Sequence, residues 1–393
     1  MTLIKQNIQA SMFPWVMNYR NYIFKITAFC AIILLFGCRK EEIANDVDIE
    51  IEKVFENSNL PSLSACIFTE NGIEWSKYLG FANLENGVQA NEETIYHIGS
   101  ISKLFVVTAI MQLAEQGKLD IDEDINNYLP FNIMHPGFPD IPLTTRMLLT
   151  HTAGLVKPGT YNSQNGMWNQ FSPDMGPPPS EWVPQYLIQG TTDYDPNLWI
   201  LIQPGEYEVY SNIGICVAAS IVEELTQQNF REYCKENIFI PLEMNSTSYN
   251  YADLDWGRIA IMYNKNGYGN TYLDNRVNAA GGAKSTPKDL SHFAICYMNK
   301  GIYNGTRILT EESVNIILEI QNEASGKCLI WNTYHGNWYG HTGGLELGTS
   351  TTLTIQPERK TGLIIFTNAH EGIVNPGGEI YWLIRNKANK YMD

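Results

Sequence analysis

The feature that most restricts the fold is a helix-forming stretch that is apolar on nearly every side. It follows Ser100-Ile101-Ser102-Lys103, continues to about Gln116 and is ended by Gly117. Its apolar side chains are Leu104, Phe105, Val106, Val107, Ala109, Ile110, Met111 and Leu113. A surface helix would keep a polar face, so this pattern predicts a helix buried at the centre of the molecule, with other elements packed around it.

Runs rich in β-forming residues lie towards both ends of the chain. Leu63–Thr69 and Ile73–Leu79 are joined by Glu70-Asn71-Gly72, a strong hairpin signal. Thr349–Gln356 and Thr361–Asn368 form a second pair of predicted strands. Because these runs flank a mostly helical middle, the sequence predicts an α+β fold, in which both ends meet in one antiparallel β-sheet.

The same pattern predicts how the chain is divided. Residues 50–97 and 265–393 are expected to build the sheet and its flanking helices, and residues 98–264 an inserted, mainly helical subdomain. Short helices are predicted at Ile49–Phe55 and Glu379–Tyr391. The stretch Pro158–Gln203 is rich in Pro, Asn, Trp and Tyr and reads as a long irregular loop, whose tryptophans either line a substrate cleft or fasten the loop to the body.

The first residues have the pattern of a secretory signal. Arg20 and Lys25 precede the apolar run Ile26–Phe36, which is too short to span a bilayer and ends at Gly37-Cys38. Leu35-Phe36-Gly37-Cys38 resembles the bacterial lipoprotein box, which implies removal of residues 1–37 and a lipid on Cys38. Residues 38–49 would then be a tether in the cell envelope, with the domain at 50–393. The alternative is a plain signal peptide with a chance cysteine, and Met17 competes with Met1 as the start.

The charge and cysteine content limit the partners. The chain has 42 Asp and Glu against 26 Lys and Arg, without a basic block, which argues against nucleic-acid binding. Any membrane attachment should therefore come from the lipid anchor. Its cysteines form no Cys-x-x-Cys pair and its histidines have no paired ligand spacing, so we expect no metal and no cofactor. The five cysteines after Cys38 are expected to be mainly buried free thiols, and no obligatory protein partner is evident.

Three short segments carry candidate chemistry. Ser100 and Lys103 are three residues apart, so they share one face at the start of the apolar helix. An ammonium group that loses its hydration there has a lowered pKa, which would place a base beside a hydroxyl nucleophile. The same spacing recurs in Ser285-Thr286-Pro287-Lys288, but there Thr286 and Pro287 read as the cap and first turn of an ordinary surface helix, with Lys288 pointing outwards.

The other two segments also have alternative, purely structural explanations. Tyr210-Ser211-Asn212 leads into an apolar helix, so Tyr210 is either a base beside an ammonium or core filler next to a helix cap. Gly340-His341-Thr342-Gly343-Gly344 lies just ahead of a predicted strand. Its glycines either allow a substrate to approach the backbone closely, or form a turn that carries a surface histidine.

Together, in this order, the three segments resemble the motif set of the serine β-lactamase and penicillin-binding-protein superfamily. The resemblance is to its class C branch, which includes DD-carboxypeptidases, D-aminopeptidases and esterases, and it covers about residues 50–393. It implies that Ser100 is the acylated nucleophile, that Lys103 and Tyr210 share general-base and general-acid duty, and that Asn212 holds the substrate amide or the Lys103 ammonium. In this family the segment around His151 is largely structural.

The resemblance also implies the rest of the site. His341, Thr342 and Gly343 would bind substrate, and the backbone N–H groups of Ser100 and Gly344 would form the oxyanion hole. His341 stands where efficient β-lactamases have lysine, and a neutral imidazole binds a carboxylate less firmly. The expected function is therefore an envelope serine hydrolase that cleaves an ester or amide in a D-amino-acid peptide, a cell-wall fragment or a small ester. A true class C-type β-lactamase is one alternative, and a non-catalytic binding protein is another.

Overall fold

A computed structural model of the chain describes residues 46–156, 172–270, 274–322, 325–335 and 337–391. The predicted signal sequence and Cys38 lie outside the described residues, so the signal sequence and the lipid anchor stay predictions. The chain divides into two compact units, Met1–Lys53 and Val54–Asp393. A helix, α1, spans residues 46–56 and therefore begins inside the segment 38–49 that the sequence predicts as a tether.

The remaining elements follow in chain order. The strands are β1 (Ser62–Thr69), β2 (Gly72–Asn83), β3 (Val88–Gln89), β4 (Tyr96–His97), β5 (Met262–Tyr263), β6 (Gly269–Asn270), β7 (Lys284–Ser285), β8 (Ile302–Tyr303), β9 (Thr306–Arg307), β10 (Asn332–Tyr334), β11 (Trp338–Leu345), β12 (Thr349–Gln356) and β13 (Thr361–Thr367). The helices are α2 (Lys103–Glu115), α3 (Thr145–Leu149), α4 (Pro179–Leu187), α5 (Asn212–Thr226), α6 (Phe230–Cys234), α7 (Pro287–Met298), α8 (Glu311–Leu318) and α9 (Glu379–Ala388).

The main sheet joins the two ends of the second unit. Its strand order is β10-β11-β12-β13-β1-β2-β3, and the neighbouring strands are antiparallel. The pairing of β1 with β13, for example Ser64 opposite Phe366, brings the two predicted strand pairs into one sheet. The α+β prediction is thus confirmed, because the β-forming runs from both ends of the chain pair in one antiparallel sheet.

Helices cover the sheet and surround α2. Both α7 and α9 pack on β13, which is buried along its whole length. α2 and α5 lie against each other, and α2 is buried from Lys103 to Leu113, as its apolar pattern predicts. The interpretation of α7 as a surface helix is wrong, because its apolar residues pack on β1 and β13 and only a few polar side chains, including Lys288, reach solvent.

The prediction of an irregular loop over 158–203 is also wrong in part. Within the described portion, α4 begins at Pro179 and packs against α5. Trp182 and Trp199 are buried in the main core, so these two tryptophans fasten the segment to the body. Trp168 lies outside the described residues. Nowhere in the described ranges is there a helix long and apolar enough to cross a membrane.

Candidate active site

The first candidate pair is held by a tight turn ahead of α2. Gly99–Ser102 forms a single 3-10 turn, and α2 continues from Lys103. Lys103 Nζ lies 2.8 Å from Ser100 Oγ, and it donates a hydrogen bond to the carbonyl oxygen of Ala280 at 2.6 Å. Lys103 is fully buried whereas Ser100 is partly exposed. The amine therefore lies behind a hydroxyl group that a substrate can reach.

Tyr210 completes a compact arrangement around the serine hydroxyl. Its phenol donates a hydrogen bond to Ser100 Oγ at 2.6 Å, and Lys103 Nζ lies 4.9 Å from the centre of its ring. Tyr210 lies just ahead of α5, 110 residues from Ser100. The reading of Tyr210 as core filler is therefore wrong, because its polar atom is directed at the serine rather than buried among apolar side chains.

Asn212 is the first residue of α5, and Ser211 is the helix cap. The Ser211 hydroxyl accepts a hydrogen bond from the Gly214 N–H, as the capping alternative expected. Asn212 Oδ1 is buried and accepts no hydrogen bond in the described parts of the chain. This oxygen therefore does not hold the Lys103 ammonium, and its expected role towards a substrate amide stays a prediction.

Ser102, the other hydroxyl of the turn, is occupied structurally. Its Oγ donates to the carbonyl of Gly99 at 2.7 Å and accepts from the Ala283 N–H at 3.1 Å. The Tyr249 hydroxyl joins the carbonyl of Ser102 to that of Ala279. These bonds join the turn that carries Ser100 to the segment that carries Ala280. The two groups that Lys103 contacts are therefore held in place relative to each other.

The His-Thr-Gly segment lies just ahead of β12, as expected, and is itself part of a strand, β11. His341 pairs with Leu353 of β12, and Gly344 pairs with Ser350. A Cβ atom on Gly343 would clash with the carbonyl oxygen of Ile98 and with the Thr351 hydroxyl, so the serine turn packs against this strand at glycine. The alternative of a glycine-rich turn with a surface histidine is wrong, since His341 is 4% exposed.

Gly99 makes the matching approach from the other side. Its φ is +50°, a conformation that favours glycine, and a Cβ there would lie 2.9 Å from the Gly344 backbone nitrogen. The main chain of the turn that precedes Ser100 therefore lies close to the Gly344 N–H group. The turn that carries Ser100 thus approaches Gly344, and the oxyanion hole formed by the N–H groups of Ser100 and Gly344 stays a prediction.

The environment of His341 fixes its protonation. Its Nδ1 donates to the carbonyl of Thr342 at 2.6 Å, because a carbonyl oxygen can only accept. Burial, assisted by the amino groups of Lys103 and Lys327, lowers the pKa of His341 to about 3. The ring is therefore neutral near pH 7, and its buried Nε2, which has no partner in the described residues, presents a lone pair.

Comparison with known proteins identifies the family of this chain. The family model described as Beta-lactamase matches residues 47–382, most of the chain. The chain belongs to the β-lactamase family. It is thus a member of the superfamily of serine hydrolases that includes β-lactamases and penicillin-binding proteins, as the three motifs indicate.

Curated relatives and solved structures are distant in sequence. "Protein flp" of Staphylococcus aureus (strain N315) is 21% identical over 348 residues, which are 84% of this chain and 65% of that protein. A β-lactamase of Yersinia enterocolitica is 23% identical over 255 residues, which are 64% of this chain and 58% of that protein. The chain therefore spans less than two thirds of the length of these relatives.

Two solved structures share the fold. The octameric penicillin-binding protein homologue from Pyrococcus abyssi has a TM-score of 0.70 and 24% identity, covering 87% of this chain and 77% of that one. A class C β-lactamase has a TM-score of 0.69 and 19% identity, covering 88% of this chain and 98% of that one. At these identities the likeness supports the fold alone.

Some parts of this β-lactamase-family site are invisible to sequence reasoning. The Ala280 carbonyl contacts Lys103, but a backbone atom of an alanine has no sequence signal. His370, which follows β13, lies beside Gly344, since a Cβ on that glycine would be 3.3 Å from the His370 ring. The Glu371 N–H bonds to the hydroxyl of Ser350, and this holds the His370 segment next to β12. The position of His370 beside Gly344 depends on the pairing of β13 with β12, which the sequence does not show.

Proposed function

We propose that this protein is an envelope serine hydrolase that cleaves an ester or amide through an acyl-enzyme on Ser100. The observation that carries the proposal is the position of Ser100 Oγ, at 2.8 Å from Lys103 Nζ and 2.6 Å from Tyr210 Oη. A hydroxyl group needs a base at this distance to become a nucleophile at neutral pH. Ser100 is partly exposed, which leaves its hydroxyl group open to a substrate.

The residues support a two-step reaction. As Ser100 Oγ bonds to the substrate carbonyl carbon, its proton passes to the neutral amine of Lys103, or to the Tyr210 oxygen where that phenol is ionised, and charge develops on the carbonyl oxygen. The N–H groups of Ser100 and Gly344 stabilise that charge. The proton then goes to the leaving group as its bond to carbon breaks, which leaves an acyl-enzyme that water hydrolyses by the reverse sequence. The Ala280 carbonyl keeps the Lys103 amine directed at the serine.

The environment of His341 supports a preference among substrates. Its neutral ring supplies no cation for a carboxylate, and the nearby Lys327 is ion-paired with Glu208 at 3.2 Å and bonded to Asn332 at 2.7 Å. The unpartnered acceptors Asn212 Oδ1 and His341 Nε2 favour a substrate that donates hydrogen bonds. We therefore place esters and amides that lack a carboxylate near the scissile bond, D-amino-acid amides among them, ahead of β-lactams, whose fused ring bears one.

True β-lactamase activity is the second candidate. A class C β-lactamase in complex with cefoxitin shares the fold, with a TM-score of 0.69 and 99% of its length covered. SurE, which has been seen with D-Leu, shares the fold too, with a TM-score of 0.65. These likenesses justify testing both β-lactams and D-amino-acid compounds.

The location in the envelope is part of the proposal and has its own test. A lipid on Cys38 would hold the protein in the membrane fraction and add the mass of the acyl chains to the N-terminal peptide. Cys38→Ser should release the protein into the soluble fraction. If the unsubstituted protein is already released from membranes by mild salt, the lipid anchor is wrong.

The decisive experiment for the chemistry is intact-mass detection of covalent adducts. The purified protein is incubated with a fluorophosphonate, penicillins, D-Ala-D-Ala peptides and short-chain esters. We expect an adduct on the peptide that contains Ser100, with fast turnover of at least one ester or peptide. Ser102→Ala should still be labelled. Failure of every probe on the folded protein would instead favour a non-catalytic binding protein.

A further inference from the structure

We propose that His151 is a positioning residue of this site: it holds Tyr210 so that the phenol oxygen stays at Ser100. The inference rests on the proposed function for its catalytic meaning, but the contact itself can be tested separately. The sequence predicts only a structural role for His151. The contacts of this residue with both chain neighbours of Tyr210, and with its ring, assign it more than that.

The backbone of His151 anchors the residue before Tyr210. The His151 carbonyl accepts a hydrogen bond from the Val209 N–H at 2.7 Å. His151 itself has a φ of +60°, which is uncommon for a residue with a side chain and raises the energy of the turn. Contacts that hold His151 in this conformation are therefore required, and the bond to Val209 is one of them.

The side chain anchors the residue after Tyr210. His151 Nδ1 accepts a hydrogen bond from the Ser211 N–H at 3.3 Å. Its ring also packs against the Tyr210 ring, with the centres 4.7 Å apart and the planes at 49°. His151 thus contacts the N–H groups of both residues that flank Tyr210, and its ring contacts the Tyr210 ring. A small rotation of the phenol would move its oxygen away from Ser100.

The tautomer of His151 explains why a histidine suits this position. Because Nδ1 accepts, the neutral ring carries its proton on Nε2, which is buried without a partner in the described residues. Burial, and then the groups of Lys327, Lys103 and His341, keep the pKa of His151 well below its ordinary value. The Nε2–H group of His151 is therefore a hydrogen-bond donor, whereas Nε2 of His341 is an acceptor. Asparagine at position 151 could replace only the contact that His151 Nδ1 makes.

Two variants separate the contacts of the side chain. His151→Asn tolerates a positive φ and can accept from the Ser211 N–H, but it loses the ring. His151→Phe keeps a ring against Tyr210 and loses the acceptor. We expect the acylation rate constant to fall in both, by about 10- to 100-fold, since a misplacement of about 1 Å can cost about 100-fold. The non-covalent binding constant should change less than twofold.

His135→Asn is the matched control. His135 is also buried, its Nδ1 accepts from the Gly137 N–H at 3.1 Å, and its ring contacts Trp199 rather than Tyr210. We expect a similar fall in Tm but an unchanged acylation rate per folded molecule. In a Tyr210→Phe background, His151→Asn should reduce the rate no further, because both changes act through the same phenol.

Crystal structures of His151→Asn and His135→Asn give a readout that needs no turnover. We expect the distance from Tyr210 Oη to Ser100 Oγ to exceed 3.5 Å only in His151→Asn. If it stays near the 2.6 Å of the unsubstituted protein and acylation is unchanged, the proposal is overturned. If no probe acylates the unsubstituted protein, the proposed function fails, while these two structures still decide whether His151 positions Tyr210.

Discussion

The two Ser-x-x-Lys segments have the same spacing and both precede a helix, yet their burial is reversed. Ser100 is partly exposed and Lys103 is fully buried, whereas Ser285 is fully buried and Lys288 is exposed. Catalysis through an amine requires a dry base behind a reachable hydroxyl. The first segment meets that requirement. In the second segment the hydroxyl group is buried and the amine is exposed.

The partners of the two serines differ accordingly. Ser100 Oγ lies within hydrogen-bond distance of an amine and a phenol, whereas Ser285 Oγ bonds to the Thr247 hydroxyl at 2.7 Å and to the carbonyl of Thr286 at 3.1 Å. Thr286 caps α7 by accepting from the Asp289 N–H, as the sequence predicts. Spacing therefore places Ser and Lys on one face, but the element packed against that face decides whether they can react.

Removal of each serine hydroxyl should give the largest contrast. Ser100→Ala is expected to abolish covalent labelling and to lower kcat by about 10⁶-fold, because it removes the hydroxyl group that both Lys103 and Tyr210 contact. Ser285→Ala should leave labelling unchanged and destabilise the fold by about 1 kcal/mol through the lost hydrogen bonds. Intact-mass labelling and thermal melts measure both. Persistent labelling of Ser100→Ala would show that Ser100 is not the nucleophile.

The two lysines should differ next most strongly. Lys103→Met removes the amine beside Ser100 and should slow acylation by about 10²- to 10⁴-fold, the usual contribution of a general base. Lys288→Met changes an exposed side chain and should leave the rate within twofold. Stopped-flow measurement of the acylation burst distinguishes them. Equal effects of the two substitutions would show that Lys103 is not the base.

The approach of the serine turn to β11 predicts a smaller loss. Gly343→Ala would push the Ile98 carbonyl and the Thr351 hydroxyl away and so displace the nearby oxyanion donors. We expect kcat to fall by about 10²- to 10³-fold. Gly372→Ala, where an added Cβ meets nothing within 4 Å, is the control and should be neutral. Steady-state kinetics of the two variants test whether the glycine contact matters.

Lys284, next to Ser285, should affect stability rather than activity. Burial, with a contribution from Arg231, lowers the pKa of Lys284 from 10.5 to about 7. Between these two values the unfolded chain binds more protons than the folded one, so stability should rise as the pH increases from 7 to 10.5. Lys284→Met should remove this rise, whereas the exposed Lys288→Met should keep it.

Urea denaturation midpoints across that pH range provide the measurement. Lys284 donates to the carbonyl of Tyr249 and lies 3.9 Å from the centre of the Tyr251 ring, so its substitution also removes two contacts. For this reason the slope with pH, and not the stability at a single pH, is the relevant quantity. A slope identical in the unsubstituted protein and Lys284→Met would mean that Lys284 keeps its charge when buried.

Local patterns in the sequence were enough to predict most of the elements that build the site. The all-apolar pattern after Lys103, the Asn-Gly turn before β2 and the cap at Thr286 each act over a few residues, and each is confirmed. Helix α4 was not predicted from the sequence, because a run of prolines suggested a loop, although Pro179 begins a helix. The sequence also did not predict that His341 lies inside a strand.

The α+β class, the central helix and the short list of residues able to do chemistry follow from the sequence, because period and spacing are local properties of the chain. The exposure of Ser100, the contact of the Ala280 carbonyl with Lys103 and the contact of His151 with Tyr210 follow only from the folded structure. These contacts join residues from separate segments of the chain. Their burial and hydrogen bonds depend on packing between elements, which no local pattern encodes.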